Sequence, residues 1–195
     1  MPQRVFVDAN VLASKTCRDW LFFLRDANEG MFQLHATHDV FAEALRKMRT
    51  NNPRLPGAVV AAMVKQIELC IDEVVPNFSG DLDFSGTDEG DYHVHAAATA
   101  SRADKILTSN KPSDITQRPD DEYYEIVTPD EFFTLVADSN PACIKPITRE
   151  QLEYWCRRAE RGESVTTQLD DALRAAQCPK FADRVREALQ QLAYE

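Results

Sequence analysis

The sequence predicts an α/β protein: a parallel sheet covered on both faces by helices, followed by a helical C-terminal extension. Short β-branched and aromatic runs alternate with stretches of helical period as far as residue 140, and beyond that point the strand pattern stops. A strand apolar at consecutive positions, as in Val5-Phe6-Val7, is expected where both faces of a sheet are buried. The 195 residues are 44% hydrophobic and 28% charged, enough for a sizeable core and an appendage. We expect a first domain over residues 1–140 and a helical extension over 141–195.

Each element has its own signal. Residues 4–7 read as the first strand, and 18–27 as a helix with Trp20, Leu21, Phe23 and Leu24 apolar and Gly30 beyond its end. "MFQLHAT" (31–37) is the second strand. A helix opened by Asp39 follows, with Val40, Phe41, Ala44, Leu45 and Met48 on its inner face. Pro53, Pro56 and Gly57 interrupt before a long apolar helix over 58–70 and a strand over 72–76. The polar loop "NFSGDLDFSGTDEG" leads into "DYHVHAAATASRA", whose alanines favour helix. "KILTSN" and "YEIVT" are further strands, and Thr128, Pro129 and Glu131 form a capping-box start for "DEFFTLVAD". In the extension, Thr148 is expected to cap a helix that Gly162 ends, with two more helices over 168–177 and 180–194. Leu152, Trp155, Leu169, Leu173, Phe181, Val185, Leu189 and Leu192 recur at helical spacing, which signals packing.

Composition excludes several classes. No apolar stretch approaches the ~20 residues of a membrane span, and the N-terminus lacks the basic and apolar regions of a secretory signal, so we expect a cytoplasmic protein. The five cysteines include no C-x-x-C pair, which fits reduced thiols better than a disulfide frame or a zinc site. The net charge is -10, and all of the excess acid falls in residues 1–140, which hold 13 Lys+Arg against 23 Asp+Glu. Binding of nucleic acid by bulk charge is therefore excluded, and would need a bound metal or a local basic patch. Arg46, Lys47, Arg49 and Arg54 form one such stretch with no intervening acid.

Four acids from distant parts of the chain are placed toward one rim. Ligands of open α/β sheets bind outside the carboxyl ends of the strands. Asp8 ends the first strand, Glu43 lies early in the helix after the second, Asp91 starts the helix before "KILT", and Asn110 and Asp114 follow that strand. Such a cluster raises its own pKa values unless a cation joins it, and carboxylates suit Mg²⁺ or Mn²⁺. Each acid has a plain alternative: Asp91 as an N-cap, Glu43 at the positive end of its helix dipole, Asp114 as a turn residue. Asp8 is the hardest of the four to dismiss in this way, since no local turn or cap explains an acid directly after Val-Phe-Val. No catalytic role is assigned to His35, His38, His93 or His95.

"VFVDANVL", Glu43, "DEGDYHVHAAATASRADKILTSN" and "YEIVTPDEFF" together resemble PIN-domain ribonucleases, particularly the VapC-like toxins of bacterial toxin–antitoxin pairs, over roughly residues 3–140. The resemblance implies a PIN-like parallel five-stranded sheet and Mg²⁺- or Mn²⁺-dependent endonucleolytic cleavage of RNA. It places the catalytic and metal-holding acids at Asp8, Glu43, Asp91 and Asp114, with Asn10, Asp88, Thr108 and Asn110 in support. Asp114 departs from the pattern: relatives carry Asp-Phe three residues after this Asn, whereas here the acid stands four residues on and precedes Ile115, so Asn110 shares or replaces its role. Arg46, Lys47 and Arg49 are candidate phosphate contacts, with a solvated helix face as the alternative.

Two other classes place acids at strand ends. A receiver domain would need a phosphoacceptor Asp where "VVPN" stands, and a phosphatase would show D-x-D-x-T where the chain has Asp8, Asn10 and Leu12. A catalytically inactive PIN-scaffold binding module is the stronger rival, and would be expected to have lost Asp8, Glu43 or Asp91. The resemblance also implies a small antitoxin partner. Trp20, Phe22 and Phe23 support it, since three apolar neighbours cannot all face one core and a partner or a second subunit would cover the rest; a helix packed on both sides within the chain is the alternative.

Overall fold

The computed structural model describes residues 1–162 and 168–194. Five strands, β1 (Gln3–Val7), β2 (Phe32–Ala36), β3 (Glu73–Val74), β4 (Lys105–Leu107) and β5 (Glu125–Val127), form one all-parallel sheet in the order β3-β2-β1-β4-β5. Val5, Phe6 and Val7 are all fully buried. Successive strand side chains point to opposite faces, so both faces of β1 are covered, as its unbroken apolar run requires.

By its contacts the chain divides into two compact units, Met1–Arg18 with Gly30–Thr128, and Asp19–Glu29 with Pro129–Glu195. The first unit holds the sheet with α1 (Ala9–Ala13), the start of α2 (Lys15–Ala27), α3 (His38–Asn51), α4 (Gly57–Cys70), α5 (Tyr92–Ala100) and α6 (Pro112–Ile115). Helix α1 was not expected: five residues are too few for a periodic signal. The cap of α3 also differs from the sequence reading, because Thr37 Oγ1 accepts from the Val40 amide at 3.2 Å. Asp39 lies inside the first turn, where an acid favours the positive end of the helix. The long apolar helix forms as α4, yet among its side chains only Ile67 is buried, and Val59 and Leu69 are 44% and 72% exposed.

The loop before α5 is tied down by its backbone. Thr87 and Asp88 donate to the carbonyls of Ser113 and Asp114 at 2.9 and 3.2 Å, and Ser85 Oγ meets Thr116 Oγ1 at 3.0 Å. Gly86 permits this approach, since a Cβ there would press into the carbonyls of Asp114 and Ile115 and the ring of Phe84.

The second unit packs residues 19–29 with α7 (Pro129–Ser139), α8 (Ile144–Glu160), α9 (Leu169–Ala175) and α10 (Pro179–Ala193). Phe181 sits edge-on to Trp20 and Phe133, with ring centroids 5.1 and 5.3 Å apart. The Phe181 amide donates to Asp130 Oδ1 at 2.9 Å, fixing α10 on the start of α7. Two expectations are corrected here. Thr148 is no cap: α8 begins a turn earlier, and the Thr148 hydroxyl donates to the Ile144 carbonyl at 2.7 Å. Trp20 and Phe22 are 2% and 4% exposed, so the chain itself covers them and they offer no face to a partner, while Phe23 is half-buried. None of the five cysteines forms a disulfide, and no helix among the described residues is long and apolar enough to cross a membrane.

Gly86→Ala should cost about 1–3 kcal/mol in urea unfolding, the usual penalty for forcing atoms into a packed site. Gly80→Ala, where an added Cβ meets nothing within 4 Å, should leave the midpoint nearly unchanged. Equal midpoints for the two variants would refute the close approach at residue 86.

Candidate active site at the carboxyl ends of β1 and β4

The strand order reverses between β1 and β4, and the candidate residues gather there. β1 ends as the Asp8 amide donates to the Leu107 carbonyl at 3.0 Å, while Thr108 leaves β4 by donating to the Val127 carbonyl at 3.0 Å. The chain after each strand then opens upward from the same seam, which is where an open α/β sheet binds ligands.

Asp8 is 2% exposed. Its Oδ1 accepts from the Ala9 amide, and Oδ2 accepts from Thr108 Oγ1 and Asn10 Nδ2, both at 2.6 Å. This answers why a buried strand ends on an acid, and corrects the expectation that no cap explains it: Asp8 is the N-cap of α1. Burial pushes its carboxyl above the ordinary 3.8; the Thr108 hydrogen bond and the nearby Lys47 charge oppose the rise, and Glu43 adds to it.

Asn10 and Asn110 link Asp8 to Asp91. Asn10 Nδ2 lies 3.0 Å from both Thr108 Oγ1 and Asn110 Oδ1, and Asn10 Oδ1 accepts from the Ser109 amide at 3.0 Å. Asn110 Nδ2 in turn reaches Asp91 Oδ1 and Oδ2 at 3.0 and 2.8 Å. Asp91 stands at the N-cap position of α5 but makes no cap hydrogen bond, so its plain alternative fails: the side chain is 8% exposed and turned to Asn110. Its carboxyl is pushed up to about 6, first by burial and then by the charges of Asp8, Asp88 and Asp114, against the pull of Asn110.

The other acids are engaged differently. Glu43 Oε1 pairs with Lys47 Nζ at 3.0 Å, one helical turn on, and Glu43 Oε2 lies 3.6 Å from His93 Nε2. Asp114 caps α6: its Oδ2 accepts from the Lys111 amide and its Oδ1 from Thr87 Oγ1, both at 3.1 Å. Its turn role is therefore real, although its charge still reaches Asp91. Asp88 caps the turn Glu89–Asp91 by accepting from the Gly90 amide at 2.8 Å. Of the basic residues, Arg46 and Lys47 flank Asn10, whereas Arg49 donates to the Leu55 carbonyl of its own loop. The sequence reading gave His93 no part. Its position two residues after Asp91, at the start of the same helix, was the available signal.

Among the described residues no group of three or more His, Cys, Asp or Glu side chains is arranged to hold a metal ion. The donor chemistry nonetheless fits a hard divalent cation. Asp8 and Asp91 are two buried carboxylates whose pKa values are raised in its absence, and Mg²⁺ is commonly held by one or two carboxylates with water and substrate phosphate completing its shell.

The fold and this seam define an α/β protein with paired acids at the topological switch point of a parallel sheet. The PIN domain model matches residues 4–112, so the chain belongs to the PIN domain family, whose members are generally nucleases. The match includes Asp8, Glu43, Asp91 and Asn110 and stops short of Asp114. No curated protein and no solved structure matches the chain.

Asp91 gives a stability prediction. The folded protein holds its proton more tightly than the unfolded chain does, so ionising Asp91 weakens the metal-free fold, and the loss builds as pH rises from near 4 through about 6. Asp91→Asn should therefore raise the melting temperature of the EDTA-treated protein near neutral pH, by a gain on the order of 2 kcal/mol, and the gain should vanish toward pH ~4. A gap that does not change with pH would show that Asp91 carries no such burden.

Proposed function

We propose that this protein is a metal-dependent endoribonuclease that hydrolyses RNA phosphodiester bonds. The observation that carries the reading is the hydrogen-bonded chain Asp8–Asn10–Asn110–Asp91 at the strand-order reversal, two buried acids held in fixed relation with raised pKa values. Asp8 and Asp91 would hold Mg²⁺ or Mn²⁺. The bound ion supplies Lewis-acid charge that acidifies water and offsets charge on the scissile phosphate. Thr108 and Asn10 fix the Asp8 carboxylate, and Asn110 fixes Asp91. Glu43, which lies between Lys47 and His93, would orient or deprotonate the attacking water. Asp114 and Asp88 contribute negative charge from the loops they cap.

The toxin role, with a small antitoxin as partner, rests on the motif resemblance. The apolar surface such a partner would cover lies on α4, where Val59 and Leu69 are exposed, and not on Trp20 and Phe22. A second reading, an inactive PIN-scaffold binding module, is favoured by the ties of Glu43 and Asp114 to neighbouring protein groups.

Purified protein should cleave single-stranded RNA with Mg²⁺ or Mn²⁺ and not with EDTA. Asp8→Asn and Asp91→Asn should each lower the rate by at least about 10²-fold, as expected when a charge stabiliser of the transition state is lost, with the circular dichroism spectrum unchanged. Cleavage by either variant at the wild-type rate would sink the assignment, and no cleavage by wild type under any divalent ion would leave the binding module. Inducible expression separates the toxin role: wild type should arrest growth and Asp8→Asn should not.

A further inference from the structure

A cavity of about 570 Å³ opens beside the acids, lined by Asn10, Ser14, Arg46, Lys47, Thr50 and Asn51. Its volume falls within the ~300–1,000 Å³ of ligand clefts; Ala13 completes the lining, and its functional groups are two cations, hydroxyls and amides, with no aromatic ring. Asn10 belongs both to this cavity and to the chain of hydrogen bonds between Asp8 and Asp91, so the two are continuous.

Arg46 is exposed, and its guanidinium makes no ion pair or hydrogen bond among the described residues. That is notable in a chain with 22 cations and 32 acids. Lys47 instead pairs with Glu43 and sits at the boundary between the cavity and the acids. The hydroxyls are positioned by the backbone: Thr50 Oγ1 donates to the Arg46 carbonyl at 2.9 Å, and Ser14 Oγ accepts from the Cys17 amide at 3.3 Å. Bases are bound without sequence preference by stacking on aromatic faces, which this cavity lacks. Phosphates and sugars are bound by cations, hydroxyls and amides, which it has.

We infer that this cavity seats the sugar–phosphate backbone of the RNA strand beside the scissile bond, with Arg46 as its phosphate contact and Lys47 as the cation shared between that backbone and Glu43. The inference rests on the nuclease reading for the position of the scissile bond, while the backbone contact stands on the cavity itself. Arg49, bonded to the Leu55 carbonyl, is not part of it. Because no base is read there, this subsite adds affinity without adding sequence preference.

Binding of a short single-stranded oligoribonucleotide to the full chain in EDTA, followed by fluorescence anisotropy over a salt series, tests this without cleavage. Arg46→Ala should flatten the slope of log affinity against log salt by about 0.7, the value for one phosphate contact on a single strand, and weaken binding to purine-rich and pyrimidine-rich oligonucleotides alike. Arg46→Lys should restore the slope. Arg54→Ala removes the same charge from outside the cavity and should leave the slope at its wild-type value. An unchanged slope in Arg46→Ala, an equal change in Arg54→Ala, or no binding by wild type would each overturn the assignment. A nuclease failure reads differently: absence of cleavage in Mg²⁺ or Mn²⁺, with the Arg46 effect on the slope intact.

Discussion

A carboxylate at the end of a strand buried on both faces must find its hydrogen bonds there, because water cannot supply them. Asp8 finds three, from the Ala9 amide, the Thr108 hydroxyl and the Asn10 amide group. Each partner exists only because of a larger feature. Ala9 is presented by the start of α1, Thr108 by the parallel pairing of β4 against β1, and Asn10 by the first turn of α1 facing the end of β4. Leaving a buried polar group unpaired costs about 1–3 kcal/mol, a cost that the start of α1 and the end of β4 together avoid at Asp8. Asp8 is thus a structural cap and a candidate reactive group at once.

The electrostatics of the seam work against the fold. Burial and mutual repulsion raise the pKa values of Asp8 and Asp91, a strain typical of sites that await a counter-charge. Lys47 relieves part of it from α3, lowering Asp8 while pairing with Glu43. Lysine serves this purpose without filling the site, since its ammonium is a compact charge on a flexible stem.

Much of this was legible in the chain. The apolar runs gave all five strands, and Gly30, Pro53, Pro56 and Gly57 marked helix boundaries through their restricted or permissive backbones. Asp8 stood out because a strand rarely ends on an acid without reason, though its capping role was hidden by the brevity of α1. Thr37 and Asp39 are both good helix starters, and only the observed hydrogen bond to Val40 distinguishes them. Asp114 shows the limit most clearly: spacing from Asn110 places the residue near the seam but cannot say that its carboxylate turns back to the Lys111 amide. Trp20 and Phe22 misled because sequence shows that a helix is apolar on several sides, not how many elements of its own chain will cover it. The part of His93 was invisible for a related reason, since Glu43 lies on another helix.

The seam between β1 and β4 joins residues about a hundred positions apart: Asn10 reaches Thr108 and Asn110 across separations of 98 and 100. Contacts of that separation form late in folding, after the cost of closing the intervening loop has been met. During synthesis the seam cannot exist until β4 and the turn after it have left the ribosome and β4 has paired with β1. A chain that has not yet released β4 therefore carries Asp8 and Glu43 but no assembled acid pair, and whatever chemistry the pair performs is withheld from it by topology alone.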